Sequence, residues 1–142
     1  MTTINPYLNF NGNTEEVFHF YQSVFGGEFL SVNRYKEVHS AEELGAGEGE
    51  KIMHISLPIG NGSILMGSDT IERRGKTSAG DNFSISITPD SQEEATRLFN
   101  GLSAGGQVTM PLMQAPWGAY FGMFTDKYGI QWMVNYEKHS QQ

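Results

Sequence analysis

The same signature occurs twice in this chain. Residues 13–16 read Asn-Thr-Glu-Glu and residues 91–94 read Ser-Gln-Glu-Glu, each a capping residue with a glutamate three positions on. That arrangement can satisfy two orphan backbone donors at a helix start. Val17, Phe20, Tyr21 and Val24 follow the first signature, and Ala95, Leu98, Phe99 and Leu102 the second. Both sets recur at i, i+3, i+4, i+7, the spacing of one buried helical face. The first helix runs into Gly26-Gly27 and the second into Gly105-Gly106, the expected stop signal. The copies are offset by 78 residues at the caps and 79 at the glycine pairs. A helix-facing Phe20 predicts a loss of ~3–5 kcal/mol for Phe20→Ala, as for other core truncations.

One strand-like run precedes each helix and three follow it. Ile4–Phe10 and Phe83–Thr88 lead. Glu28–Tyr35 and Gln107–Met113 come next, then Ile52–Leu57 and Tyr120–Thr125, then Ser63–Ser68 and Ile130–Asn135. Gly60-Asn61-Gly62 and Asp126-Lys127-Tyr128-Gly129 are the turns before the last strands. The pattern predicts an α+β chain of two tandem β-α-β-β-β modules, about residues 4–69 and 82–136, within one domain spanning 1–142. Lys36–Glu50, rich in glutamate and glycine, has no counterpart in the second copy. It reads as a solvated loop, with a mobile lid as the alternative. Thr70–Gly80, with Arg73-Arg74-Gly75-Lys76, reads as a solvated linker.

Nine basic against sixteen acidic residues give a net charge of −7, a field that repels phosphate backbones and argues against nucleic acid. No apolar stretch approaches the ~18 residues of a membrane span. The start, Met1-Thr2-Thr3-Ile4-Asn5-Pro6, lacks the basic and apolar regions of a secretory signal. With no cysteine, disulfides and thiolate zinc sites are excluded. A soluble cytoplasmic protein is expected.

Several strings narrow the pattern: Pro6-Tyr7-Leu8-Asn9-Phe10-Asn11-Gly12, Phe20-Tyr21, Val24-Phe25-Gly26-Gly27, Ile52-Met53-His54, Trp117-Gly118 and Phe121-Gly122. The run Thr125-Asp126-Lys127-Tyr128-Gly129-Ile130-Gln131-Trp132-Met133-Val134-Asn135 adds to them. With the paired modules they resemble the PhnB-like branch of the vicinal oxygen chelate (glyoxalase/bleomycin resistance/dioxygenase) superfamily, from about residue 4 to residue 136. The resemblance implies a curved mixed sheet around a concave cavity, helices on the convex side, and pairing into homodimers. It also implies, for the superfamily's enzymes, a divalent metal held from the first and last strands of each module. Members of this branch often carry a ubiquinone-methyltransferase name, yet the Gly-rich strand-to-helix turn of an adenosyl-cofactor site is absent from this sequence.

Strand parity says which residues face that cavity. Pro6, Leu8 and Phe10 should pack on the helix, leaving Asn5, Tyr7 and Asn9 to face the cavity. Phe83, Ile85 and Ile87 should do the same in the second copy, leaving Asn82, Ser84 and Ser86. Ile130, Trp132 and Val134 oppose Gln131, Met133 and Asn135, and Ile64, Met66 and Ser68 form the matching set in copy one. The superfamily's metal positions then fall near Asn5, Met66, Asn82 or Ser84, and Met133. None is a histidine or a carboxylate, the ligands that divalent metals want, so no metal centre and no cofactor is expected.

His19, His39 and His139 read as surface residues. His54 shares its side with Ile52 and Ser56 while Met53, Ile55 and Leu57 take the apolar parity, so it is expected to face the cavity. There it is either satisfied by a serine or carbonyl, or touches a ligand. Tyr7, Trp117, Phe121, Tyr120, Met66 and Met133 have the make-up of a small-molecule pocket, of core, or of a dimer interface. Glu15-Glu16 and Glu93-Glu94 are explained by capping and the helix dipole, and Asp69 reads as a turn former.

The sequence therefore predicts a small-molecule binder of the glyoxalase/bleomycin-resistance type, without the superfamily's metal centre. Its expected ligand contacts are Tyr7, His54, Met66, Ser84, Trp117, Phe121 and Met133. The alternatives are a metal-dependent lyase, isomerase or dioxygenase with unusual ligands, His54 first among them, and a dimeric interaction module. No catalytic residue is assigned.

Overall fold

The computed structural model describes residues 2–137. The chain divides into two compact units, with the boundary between Ser78 and Ala79, and each carries one copy of the repeat. The first runs β1 (Tyr7–Phe10), α1 (Thr14–Phe25), β2 (Ser31–Arg34), β3 (Ile52–Ile59) and β4 (Ser63–Asp69). Its sheet has the order β1-β4-β3-β2, with β1 parallel to β4 and the other pairs antiparallel. The second runs β5 (Ile85–Ile87), α2 (Gln92–Ser103), β6 (Gln107–Gln114), β7 (Tyr120–Thr125) and β8 (Gln131–Tyr136). Its order is β5-β8-β7-β6, with β5 parallel to β8. The α+β class and the tandem β-α-β-β-β order are as the sequence predicts. Among the described residues, no helix is long and apolar enough to cross a membrane.

The leading strands are shorter than expected. Each lies at the edge of its sheet, with one ladder neighbour to extend along. Ile4 is 94% exposed, and Phe83, expected to pack on the helix, is 58% exposed. Tyr35 leaves β2 for a short 3-10 turn, Tyr35–Glu37, and is buried.

The helices dock through rings set into glycine gaps. The buried face of α1 is Thr14, Val17, Phe18, Tyr21 and Val24. Phe18, not the expected Phe20, is the core ring, and Phe20 is half-buried against Tyr21 at 5.7 Å. The reason lies in β4: a Cβ on Gly67 would fall 2.6 Å from Phe18 Cε1 and 2.9 Å from the Leu8 carbonyl oxygen. Only a glycine leaves room for that ring. In α2 the expected Ala95, Leu98, Phe99 and Leu102 are the buried set. Phe99 fills the gap over Gly122, where a Cβ would lie 2.6 Å from its Cε2, and meets Phe124 edge-on at 5.0 Å.

The two helix starts are not alike. Ser91 Oγ accepts the Glu94 amide at 3.0 Å, as expected, while the Glu94 carboxylate turns to Arg97. Asn13 makes no side-chain cap bond. Another orphan donor of that start is served from a distance by Asp69, whose Oδ1 accepts the Thr14 amide at 2.9 Å and whose Oδ2 accepts the Ile52 amide at 2.8 Å. The Tyr35 hydroxyl donates to the Asp69 carbonyl at 2.7 Å. Asp69 is thus a tie between α1, β3 and β4. In module two Asp126 has a similar office: it accepts the Tyr128 and Ile130 amides and the buried Trp132 indole N–H. Glu15, expected to serve the helix start, holds Arg34 through both carboxylate oxygens. That guanidinium keeps the Glu15 carboxyl below its usual range.

Lys36–Glu50 is exposed along most of its length, as a solvated loop is, but it carries an anchor that its composition does not suggest. Its Glu48 is buried and accepts the Gly45 and Glu72 amides, each at 2.7 Å. Glycine supplied the turn and one acidic side chain the anchor, a pairing that composition alone hides. Those two amides hold the Glu48 carboxyl below its ordinary 4.5. A depressed folded value means the anchor is at full strength above 4.5 and weakens as pH falls below it. The protection factors of the Gly45 and Glu72 amides, with the pH-dependent intrinsic rate divided out, should therefore fall on acidification below that value, ahead of those in α2. Parallel behaviour of the two sets down to about pH 3 would refute the anchor.

Candidate functional site

Module one turns a polar surface away from α1. In β1, Tyr7 and Asn9 alternate with buried Leu8 and Phe10. Register carries their face across the sheet: Tyr7 lies beside Met66, Met66 beside Ser56, Ser56 beside Ser31, and Asn9 beside Ser68. These side chains bond in pairs. Ser68 Oγ donates to Asn9 Oδ1 at 3.0 Å, and the Ser31 and Ser56 hydroxyls meet at 2.9 Å. The Tyr7 hydroxyl lies 3.3 Å from His54 Nδ1, with the rings 5.7 Å apart. With Tyr7 as donor, the neutral imidazole carries its proton on Nε2 and presents it as a donor.

A bulge explains one departure from parity. β2 and β3 slip register between Asn33 and Arg34, which pair with His54 and Ile52. The extra residue, Met53, reverses the alternation. Ile52, expected on His54's side, is buried with Ile55 and Leu57, while His54 stays half-buried on the outer side.

Module two turns a different surface away from α2. Trp132 and Val134 are buried, and Gly122 and Phe124 meet Phe99 of the helix. Met133, Asn135, Phe121 and Met123 therefore point the other way. Met133 pairs with Met123 and Met123 with Met110, while Asn135 pairs with Phe121 and Phe121 with Met113. The Trp117 ring, exposed like Met110 and Met113, stands edge-on to Phe121 at 5.7 Å. Ser86 lies beside Met133, with half-buried Ser84 two residues before it. Asn135 Oδ1 is shut from solvent and has no hydrogen-bond partner.

The structure thus brings Tyr7, His54 and Met66 onto one face, and Phe121, Met133 and Trp117 onto another. It adds Asn9, Ser56 and Ser68 to the first, and Met110, Met113, Met123 and Asn135 to the second. Part of the methionine row was within reach of the sequence. A hairpin closing on Asp126–Gly129 pairs Thr125 with Gln131, and two residues further it pairs Met123 with Met133. Met110 and Met113 were not, because β6 shifts register between Val108 and Met110 and again before Met113.

The positions that correspond to the superfamily's metal ligands do not suit a divalent ion. Asn5 Oδ1 already accepts the Ile64 amide at 3.1 Å, Met66 and Met133 offer thioethers, and Asn82 and Ser84 offer neutral oxygens. Among the described residues, no three of His, Asp and Glu form a metal-holding group. Of the other histidines, His19 is exposed near Glu15, and His39, expected on the surface, is half-buried between Glu43 at 3.5 Å and the Tyr35 ring. His139 lies outside the described residues.

Comparison with known proteins gives a consistent family. A family model described as 3-demethylubiquinone-9 3-methyltransferase matches residues 2–135. Protein YjdN of Escherichia coli is 32% identical, with 95% of each chain covered. The crystal structure of protein PA1353 from Pseudomonas aeruginosa superposes with a TM-score of 0.82 at 41% identity, covering 96% of this chain and 98% of that one. A Bacillus cereus PhnB protein, described as a putative 3-demethylubiquinone-9 3-methyltransferase, gives 0.73 at 29% identity, covering 95% and 99%. The fold extends to a glyoxalase/bleomycin resistance protein/dioxygenase family enzyme from Burkholderia phytofirmans, with a TM-score of 0.57 at 18% identity, covering 92% and 95%.

Proposed function

The chain belongs to the 3-demethylubiquinone-9 3-methyltransferase family, a PhnB-like group with the glyoxalase/bleomycin-resistance fold, and we propose that it is a small-molecule-binding protein without the superfamily's metal centre. The observation that carries this reading is the donor set at the metal positions: two thioethers, amides and a hydroxyl, with the Asn5 oxygen already engaged. Hard and borderline divalent ions prefer imidazole and charged oxygen. Faces of aromatic rings, thioethers and a few placed polar groups are the ordinary lining of a ligand site. Methyl transfer is not proposed. The β1–α1 connection is Asn11-Gly12-Asn13 and the β5–α2 connection Thr88-Pro89-Asp90-Ser91, and neither is the Gly-rich turn of a nucleotide cradle. Homodimerisation and a cytoplasmic location, with neither nucleic acid nor membrane as partner, belong to the same proposal.

The second reading, a metal-dependent lyase, isomerase or dioxygenase, would start from His54, the histidine on module one's outer face. Elemental mass spectrometry of untagged protein, after incubation with manganese, iron, nickel and zinc, separates the two. The expected result is metal far below one ion per chain, together with thermal stabilisation by members of an aromatic compound library. Stoichiometric metal that disappears in His54→Ala would overturn the binder reading in favour of the enzyme.

A further inference from the structure

We infer that the outward face of module two takes a planar aromatic molecule carrying a hydroxyl or ring N–H, whose proton is accepted by Asn135 Oδ1. The inference rests on the small-molecule reading above and names the ligand's class. Asn135, Phe121 and Met113 stand side by side across β8, β7 and β6, and Trp117 stands edge-on to Phe121. Two aromatic rings and unbranched thioethers favour a flat, polarisable body over a charged or branched one.

The polar requirement comes from Asn135. On module one's face the polar side chains bond one another: Ser68 with Asn9, Ser31 with Ser56, Tyr7 with His54. On module two's face the Asn135 oxygen accepts nothing, although it is shut from water. Most buried polar atoms in native proteins are paired. Of the two orphans among the described residues, Thr14 Oγ1 lies at the start of α1, while Asn135 Oδ1 belongs to the face of rings and thioethers, where a donor from outside the chain can pair with it. A ligand hydroxyl or ring N–H supplies one, and a ligand that can only accept does not. Reaching the oxygen requires a neighbouring side chain to move. Met133, two residues along β8 and on the same face, has the rotational freedom to do so.

Calorimetric titration with 2-naphthol and with 2-methoxynaphthalene tests this, since the two share a ring system and differ in the capped donor. The intact protein should bind 2-naphthol at least about fivefold more tightly, the worth of one net hydrogen bond. Asn135→Leu should remove that preference by weakening 2-naphthol alone. Trp117→Ala, at an exposed position, should weaken both probes by a similar factor. Equal affinity of the intact protein for the two probes would overturn the donor inference and leave the binder reading standing. Failure of both probes, while other library compounds stabilise the protein, would overturn it too. Failure of the entire library would sink the binder reading itself.

Discussion

Phe18→Ala should destabilise the protein by about 3–5 kcal/mol, the range for deleting a fully buried ring, while Phe20→Ala should cost well under half as much. Phe18 is 0% exposed and sits over Gly67, whose missing side chain is the gap it fills. Removing the ring leaves a cavity over Gly67, which has no side chain to fill it. Phe20 rests on Tyr21 at the margin of the same helix and keeps partial contact with water. Urea titration of both variants reads the difference directly. A loss below about 1 kcal/mol for Phe18→Ala would contradict the socket, as would a larger loss at Phe20. Filling the gap from the other side makes the same point: Gly67→Ala would press a methyl group against that ring and the Leu8 carbonyl, so overpacking should destabilise it.

Asp69→Ala should cost a comparable amount, about 3–5 kcal/mol, because it orphans two buried donors at once, each worth roughly 1–3 kcal/mol when left unpaired. Those donors are the Thr14 amide at the start of α1 and the Ile52 amide at the start of β3. Asp69→Asn should recover only part of the loss. Its single carbonyl oxygen can accept from one amide, while its NH2 would confront the other. Denaturant unfolding of the two variants, with the intact protein as reference, gives the ranking. Indifference of stability to Asp69→Ala would show that water or another side chain serves these donors, and the tie would have no force.

The fold was legible because its determinants are local and occur twice. Capping residue, helical period, glycine stop and strand alternation are each weak, and their repetition at one offset makes chance a poor explanation. The buried face of the second helix reads correctly to the residue. The first does not, because two phenylalanines, Phe18 and Phe20, compete for one buried position. The winner is set by a glycine almost fifty residues away in β4. Likewise Asn13 has the sequence of a cap but makes no side-chain cap bond, and a carboxylate that does serve the helix start, Asp69 at the Thr14 amide, is brought there by the parallel pairing of β1 with β4.

The candidate site divides the same way. Parity along single strands placed Tyr7, Met66 and Met133 away from the helices, since alternation needs only the backbone, while Phe121 was named by residue type alone. The Tyr7–His54 contact, the methionine row and the orphaned Asn135 oxygen are properties of register between strands. Bulges at Met53 and within β6 reset that register where composition gives no sign of it. Sequence alone determined the modules, their order and, where no bulge intervenes, which side of a strand is outward, because these follow from spacing a few residues long. Only the tertiary structure decided which side chains meet, because a meeting depends on pairings between segments tens of residues apart, and a one-residue slip in any of them exchanges the partners.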